Sequence, residues 1–194
     1  MKFEEFYKEL TGINASIISR EKYANLVLNN KILIPRLIET LFMTNDQTSS
    51  RAAWVLEFAC KKDLSIILPF LDEFTNNIKT VHLDSSVRPV SKIVNLIAQA
   101  YSTKKTNAFE TALTRLHREQ IIEACFDWLI QDKKVAAKVY AMETLYLLGQ
   151  DEAWIYRELR LIIEQNFSKQ SAAFKSKAKH ILNKLKKAQN QSKN

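Results

Sequence analysis

Ile32-Leu33-Ile34-Pro35-Arg36-Leu37 and Ile66-Ile67-Leu68-Pro69-Phe70-Leu71 repeat one pattern 34 positions apart: an apolar helix start with a proline set into it. Proline has no backbone N–H and is accepted in the first turn of a helix, where that donor would have no partner anyway. A spacing of this size is that of a two-helix unit, which cannot bury its apolar face alone and stacks on its neighbours. Composition agrees. The 194 residues include 2 glycines and 3 prolines, whereas average usage would supply roughly 14 glycines. Long stretches therefore contain no helix breaker, and the chain reads as all-α.

Apolar residues three and four apart predict helices over Lys2 to Leu10, Ser16 to Leu28, Leu33 to Met43, Ser49 to Cys60 and Leu64 to Asn77, the last capped by Asp63. Asp84-Ser85-Ser86 offers a further cap ahead of a helix carrying Val90, Ile93, Val94, Ile97 and Tyr101. After the polar interval Ser102 to Asn107, helices follow over Arg115 to Ile130, Val135 to Leu148 (closed by Gly149), Ala153 to Phe167 and Ala172 to Ala188. Residues 1–194 read as one helical repeat domain, with 189–194 as a polar tail fraying from the last helix. Leu37 and Leu71 should occupy equivalent buried sites.

The first helices of the pairs also resemble one another. Trp54-Val55-Leu56-Glu57 matches Tyr140-Ala141-Met142-Glu143 by type, and Tyr23-Ala24-Asn25-Leu26 keeps the aromatic and small positions. With these motifs the sequence resembles the HEAT and armadillo class of α-solenoids over residues 16 to 188, as about four helix pairs plus a C-terminal capping helix. That resemblance implies an α-α superhelix whose successive helices line a curved surface suited to a peptide, a protein or a nucleic acid. The unit from 84 to 131 departs from the pattern, lacking the proline of the second helix and carrying an insert.

The net charge of +8 is not spread over the chain. From Gln165 onward there are eight lysines and no acid, which leaves 21 basic and 21 acidic residues in 1–164. The last helix places Phe174, Ala178, Ile181, Leu182 and Leu185 on one stripe and covers the rest with lysine, so it reads as an amphipathic cap. Lys179, Lys184, Lys186 and Lys187 are nevertheless candidates for contact with an anionic partner, nucleic acid included.

Glu57 and Glu143 stand in the middle of helices that are apolar nearly all round. A carboxylate placed there must reach solvent or meet a cation. Arg88 and Lys92 are the expected partners of Glu57, and Lys175 or Lys177 of Glu143. Trp54 joins these as a candidate binding residue.

Familiar catalytic motifs are missing. No glycine-rich phosphate loop, GxSxG elbow or HExxH spacing occurs, and His82, His117 and His180 stand apart, so neither cofactor nor metal is expected. Cys60 and Cys125 read as core thiols. Ser85 to Asn95 is similar to the serine-loop signature of the fumarase and adenylosuccinate lyase superfamily, stretched by one residue at Lys92 and at Asn95 and lacking the flanking glycine. Trp54 and Asp127-Trp128 supply the residue types used by HEAT-like DNA glycosylases, although Trp128 shares a face with Ile121, Ile122, Cys125 and Leu129 and so reads as core. The expectation is a non-catalytic scaffold for a protein or peptide. The alternative is a nucleic-acid-interacting HEAT-like protein, with or without a DNA alkylation-repair glycosylase activity, and a fumarase or adenylosuccinate lyase-like activity is more remote. The acidic amino terminus and the lack of an apolar run of roughly 18 to 20 residues suggest a cytoplasmic protein without a membrane span.

Overall fold

Two proline-marked units, each a pair of helices stacked on the next pair, set the architecture in a computed structural model that describes residues 3–191. The helices are α1 (Phe3–Thr11), α2 (Ile17–Asn29), α3 (Ile34–Leu41), α4 (Thr48–Lys62), α5 (Leu71–Asn77), α6 (Asp84–Tyr101), α7 (Ala108–Ala112), α8 (Arg115–Ile130), α9 (Val135–Leu148), α10 (Ala153–Asn166) and α11 (Ala172–Gln191). No strand occurs among the described residues. Helices α2, α4, α6, α9 and α11 lie side by side in chain order as one layer, and α3, α5, α8 and α10 form a second layer packed on them. The expected four pairs and closing helix are thus present, with α7 as an added short helix. Among the described residues no helix is long and apolar enough to cross a membrane.

The repeat is defined at its second helices. Leu37 in α3 and Leu71 in α5 are both buried, and the rings of Phe42 and Phe74 meet at 6.1 Å where the two helices adjoin. Pro35 falls in the first turn of α3, which follows a 3₁₀ turn over Lys31–Leu33. Pro69 acts more strongly. The stretch predicted as one helix from Leu64 to Asn77 winds as a 3₁₀ segment over Leu64–Phe70 before α5 begins, because an interior proline withholds a helical donor and crowds the preceding carbonyl. Asp63 caps that segment as predicted, accepting from the Ser65 N–H at 3.0 Å.

Three local expectations change. Asp84, Ser85 and Ser86 lie inside α6, with Leu83 at the cap position. The serines instead reach α4, where the Ser50 hydroxyl lies 2.7 Å from Ser85 Oγ and 2.8 Å from Ser86 Oγ. The polar interval is followed by a short helix the sequence did not predict, α7, whose five residues are too few to show a period; Asn107 caps it by accepting from the Phe109 N–H. Finally, α11 continues to Gln191, so residues 189–191 of the expected tail are helical, and 192–194 lie outside the described residues. The lyase-like string is regular helix from Ser85 to Asn95, with Ser91 and Asn95 buried.

Gly149 closes α9 as predicted, but with φ at −70°, a conformation open to any residue. It is glycine because α10 comes close: a Cβ there would stand 2.5 Å from the Tyr156 ring, which itself stacks on Tyr146. At Gly12 the nearest atom to such a Cβ is the Glu9 carbonyl oxygen at 3.4 Å. Gly149→Ala is therefore expected to destabilise by about 1–3 kcal/mol, the usual range for overpacking, and Gly12→Ala to change little. Thermal melting of the two variants checks this, and equal melting points would show that Tyr156 yields without cost.

Candidate functional site on the first-helix face

The middle first helices α4, α6 and α9 are covered by neighbours on both sides and from beneath, so each keeps only a narrow open strip. On α4 that strip is Arg51, Trp54, Phe58 and Lys61; on α6 it holds Arg88 and Lys92, and on α9 Tyr140 and Glu143. Five of the sequence candidates therefore come together on one face although they lie up to 89 positions apart, from Trp54 to Glu143.

Glu57 is the anchor. Its side chain has no exposed surface, and it meets Arg88 Nη2 from α6 at 2.7 Å and Lys61 Nζ, one turn along its own helix, at 2.5 Å. Arg88 is one of the two expected partners. Lys92 is not paired with Glu57 and instead sets its ammonium 4.9 Å from the centre of the Tyr140 ring. Glu143 repeats the arrangement one step on, with Lys177 of α11 at 2.9 Å as predicted. Trp54 donates its indole N–H to the Ser85 carbonyl at 2.9 Å. That carbonyl is open because Pro89, four residues later in α6, has no N–H to offer it. Arg20 of α2 then lies over the Trp54 ring at 4.7 Å and over Phe58 at 5.9 Å.

The result is a continuous stripe crossing all five first helices. Arg20, Lys61, Arg88, Lys92 and Lys177 surround two carboxylates, with aromatic rings between them. The crowding is electrostatically visible. Burial, and then the nearby Lys61 charge, push the Lys92 ammonium below the usual lysine range. Burial and then Arg88 lower Arg20, while burial followed by Glu57 raises the Tyr140 hydroxyl. Lys184 extends the row, lying 5.0 Å from the centre of the Tyr146 ring.

The other candidates are placed elsewhere. Lys179, Lys186 and Lys187 are exposed on α11, whose Phe174, Ala178, Ile181 and Leu185 are buried as the amphipathic reading required. Trp128 is buried in the core, and Asp127 faces Lys79 at 3.9 Å, so the glycosylase-type residues are not gathered at Trp54. Both thiols are free and buried, and burial raises their pKa. Among the described residues no group of three or more His, Cys, Asp or Glu side chains could hold a metal ion.

Sequence reasoning missed Arg20, Lys61, Phe58 and Tyr140 as members of the site. For Lys61 the signal was present, since it stands four residues after Glu57 on one helix. Arg20 had none, because only the packing of α2 on α4 brings it over Trp54. The layered packing also hides a charge division. The four first helices before α11 hold eight basic and four acidic residues, whereas α3, α5, α8 and α10 hold five and eight. A neutral body is thus two helix layers of opposite sign.

A family model described as a HEAT repeat domain matches residues 13–185, from the loop before α2 into the last turns of α11. The chain belongs to the HEAT repeat family. The two-layer stack of helix pairs is therefore a HEAT array, and the stripe runs across the first helices of its repeats. No curated protein and no solved structure matches the chain.

Glu57 and Glu143 of this HEAT array differ in how far water can reach them, at 0% and 26% exposure. Arg88→Ala is expected to cost about 3 kcal/mol, the low end for breaking a buried pair, because Lys61 stays on Glu57. Lys177→Ala should cost no more than about 1 kcal/mol, since water can replace it at Glu143. Urea unfolding of both variants compares the two costs, and equal values would mean that Glu57 is hydrated after all.

Proposed function

We propose that this HEAT repeat chain is a non-catalytic scaffold whose first-helix face holds an acidic segment of a protein or peptide. The observation that carries this is the stripe itself: five cations, supplied by α2, α4, α6 and α11, around only two carboxylates, both already engaged. Repeat arrays present extended surfaces assembled from successive units, and a row of side chains at helix spacing suits an extended partner. Nearby low-dielectric walls strengthen the attraction between such a row and an anion.

An acidic polypeptide is favoured over duplex nucleic acid by two features. Glu57 and Glu143 interrupt the row, which suits separated carboxylates better than an unbroken line of phosphates. The rings of Trp54, Phe58 and Tyr140 are already covered by cations, leaving them poorly placed to stack on bases. Lysines 179, 186 and 187 then act as the solvated outer face of a capping helix.

The test is binding of a fluorescently labelled oligoglutamate peptide, read by anisotropy, against a duplex oligonucleotide of equal charge. Lys61→Gln with Lys92→Gln should weaken peptide binding roughly tenfold, on the order of 0.7 kcal/mol for each exposed ion pair removed. Lys179→Gln with Lys186→Gln removes the same charge from α11 and should leave it within about twofold. Because burial holds the Lys92 ammonium below the ordinary lysine range, its charge is lost earlier than that of an ordinary lysine as pH rises, so affinity should decline on the alkaline side. Tighter, salt-steep binding of the duplex, abolished in the Lys61/Lys92 variant, would assign the stripe to nucleic acid instead.

A further inference from the structure

The second-helix layer carries a cavity unrelated to the stripe. It opens between α8 and the start of α10 and has a volume of about 300 Å³. Its floor is Ile122 and Leu148, both buried, and its wall is the stacked pair of Phe126 and Trp154, with ring centres 5.8 Å apart. Trp154 is 45% exposed, although it is among the costliest side chains to leave in water. Of the three tryptophans it is the one set outermost, since Trp128 is in the core and Trp54 is tied to Ser85.

The rim is charged and mostly acidic. Glu119, Glu123, Asp127 and Glu152 line it against two guanidinium groups. Arg115 is held by Glu119 at 2.8 Å, and Arg118 is engaged by the Leu113 carbonyl and the Tyr101 ring. Lys79 approaches from the adjoining turn to pair with Glu123 and Asp127. Glu152, at the N-cap of α10, makes no capping bond with its side chain. The surrounding second-helix layer has the same sign, with eight acidic residues to five basic.

We propose that this cavity is an anchor pocket for a basic amphipathic peptide helix, one apolar side chain entering against Trp154 and Phe126 while flanking Lys or Arg residues meet the carboxylate rim. A pocket of this volume is at the small end of ligand sites, enough for an anchor side chain rather than a whole cofactor. An exposed tryptophan beside an apolar floor is the kind of residue that dominates interface energetics. Charge complementarity selects the partner: an acidic rim repels the acidic segment assigned to the opposite face and attracts a basic one. Helix-in-groove docking matches the chemistry, with apolar anchors at helical spacing and cations beside them.

The experiment titrates the full chain with a synthetic fourteen-residue amphipathic peptide of leucine and lysine, and in parallel with its leucine and glutamate counterpart. Saturable binding of the lysine peptide with a change in tryptophan emission is expected, and, in the Lys61→Gln/Lys92→Gln variant whose stripe is weakened, at least tenfold weaker binding of the glutamate peptide. By calorimetry, Trp154→Ala should reduce affinity at least tenfold, and Glu123→Gln with Glu152→Gln several-fold, with melting curves showing each variant folded. The Lys61→Gln/Lys92→Gln variant should bind the lysine peptide as wild type does, which separates this site from the stripe. Equal binding of both peptides by the Lys61→Gln/Lys92→Gln variant, or affinity for the lysine peptide indifferent to Trp154→Ala, would overturn the proposal. So would a dimer in sedimentation that dissociates on Trp154→Ala, since it would assign the cavity to a second copy of the chain.

Discussion

Packing on two sides governs this molecule. A first helix in the middle of the array has a first helix on either flank and a second helix beneath, so nearly its whole circumference must be apolar or paired. The residues of α4 show the consequence: Ala52, Ala53, Val55, Leu56, Ala59 and Cys60 are all buried, and only a strip one side chain wide stays open. Small residues let neighbouring helices come close, and β-branched and leucine side chains fill what remains. Any polar group on such a helix must find its partner across the seam to the next repeat, because there is nowhere else for it to go.

Those polar partners also set the register between repeats. Apolar packing alone tolerates sliding of one helix along another, whereas a carboxylate with no exposed surface does not. Between α4 and α6 the serine cluster, the Trp54 indole on the Ser85 carbonyl and the Glu57–Arg88 pair lie in sequence along the seam. Between α9 and α11 the Glu143–Lys177 pair does the same at the array's end. The second layer has its own set, with the Thr75 hydroxyl 2.6 Å from Gln120 Oε1 and His117 Nε2 2.6 Å from Asp72 Oδ1 between α5 and α8. Each joins residues 31 to 45 positions apart, about one repeat.

Much of this was legible in the sequence, and the reasons are local. Helices of fourteen to sixteen residues with clear apolar spacing, such as α8 and α9, begin and end where predicted. Glu57 and Glu143 stood out because a lone carboxylate in an apolar helix violates the pattern, and the repeat itself named their partners on the following first helix. What escaped was either short or depended on depth. A five-residue α7 has no period to read, and Pro69 changes the helix type in a way that spacing does not reveal. Arg20 looks like any surface arginine until α2 is laid against α4. Gly149 was read correctly as a helix end for a reason that proved different, the nearness of Tyr156.

The largest gap between sequence and structure concerns charge. Counting along the chain averages the two layers, because first and second helices alternate and their excesses cancel. A solenoid separates what the sequence interleaves: residues one helix apart in the chain face opposite sides, whereas residues one repeat apart share a side. Net charge per domain is thus the wrong variable for such an array, and charge per layer is the physically meaningful one, since fields act over about a Debye length of 8–10 Å. That is comparable with the spacing of adjacent helices and shorter than the distance around the array. A partner meeting one face feels that layer's sign, so an array that is neutral along its body can still be selective on each side.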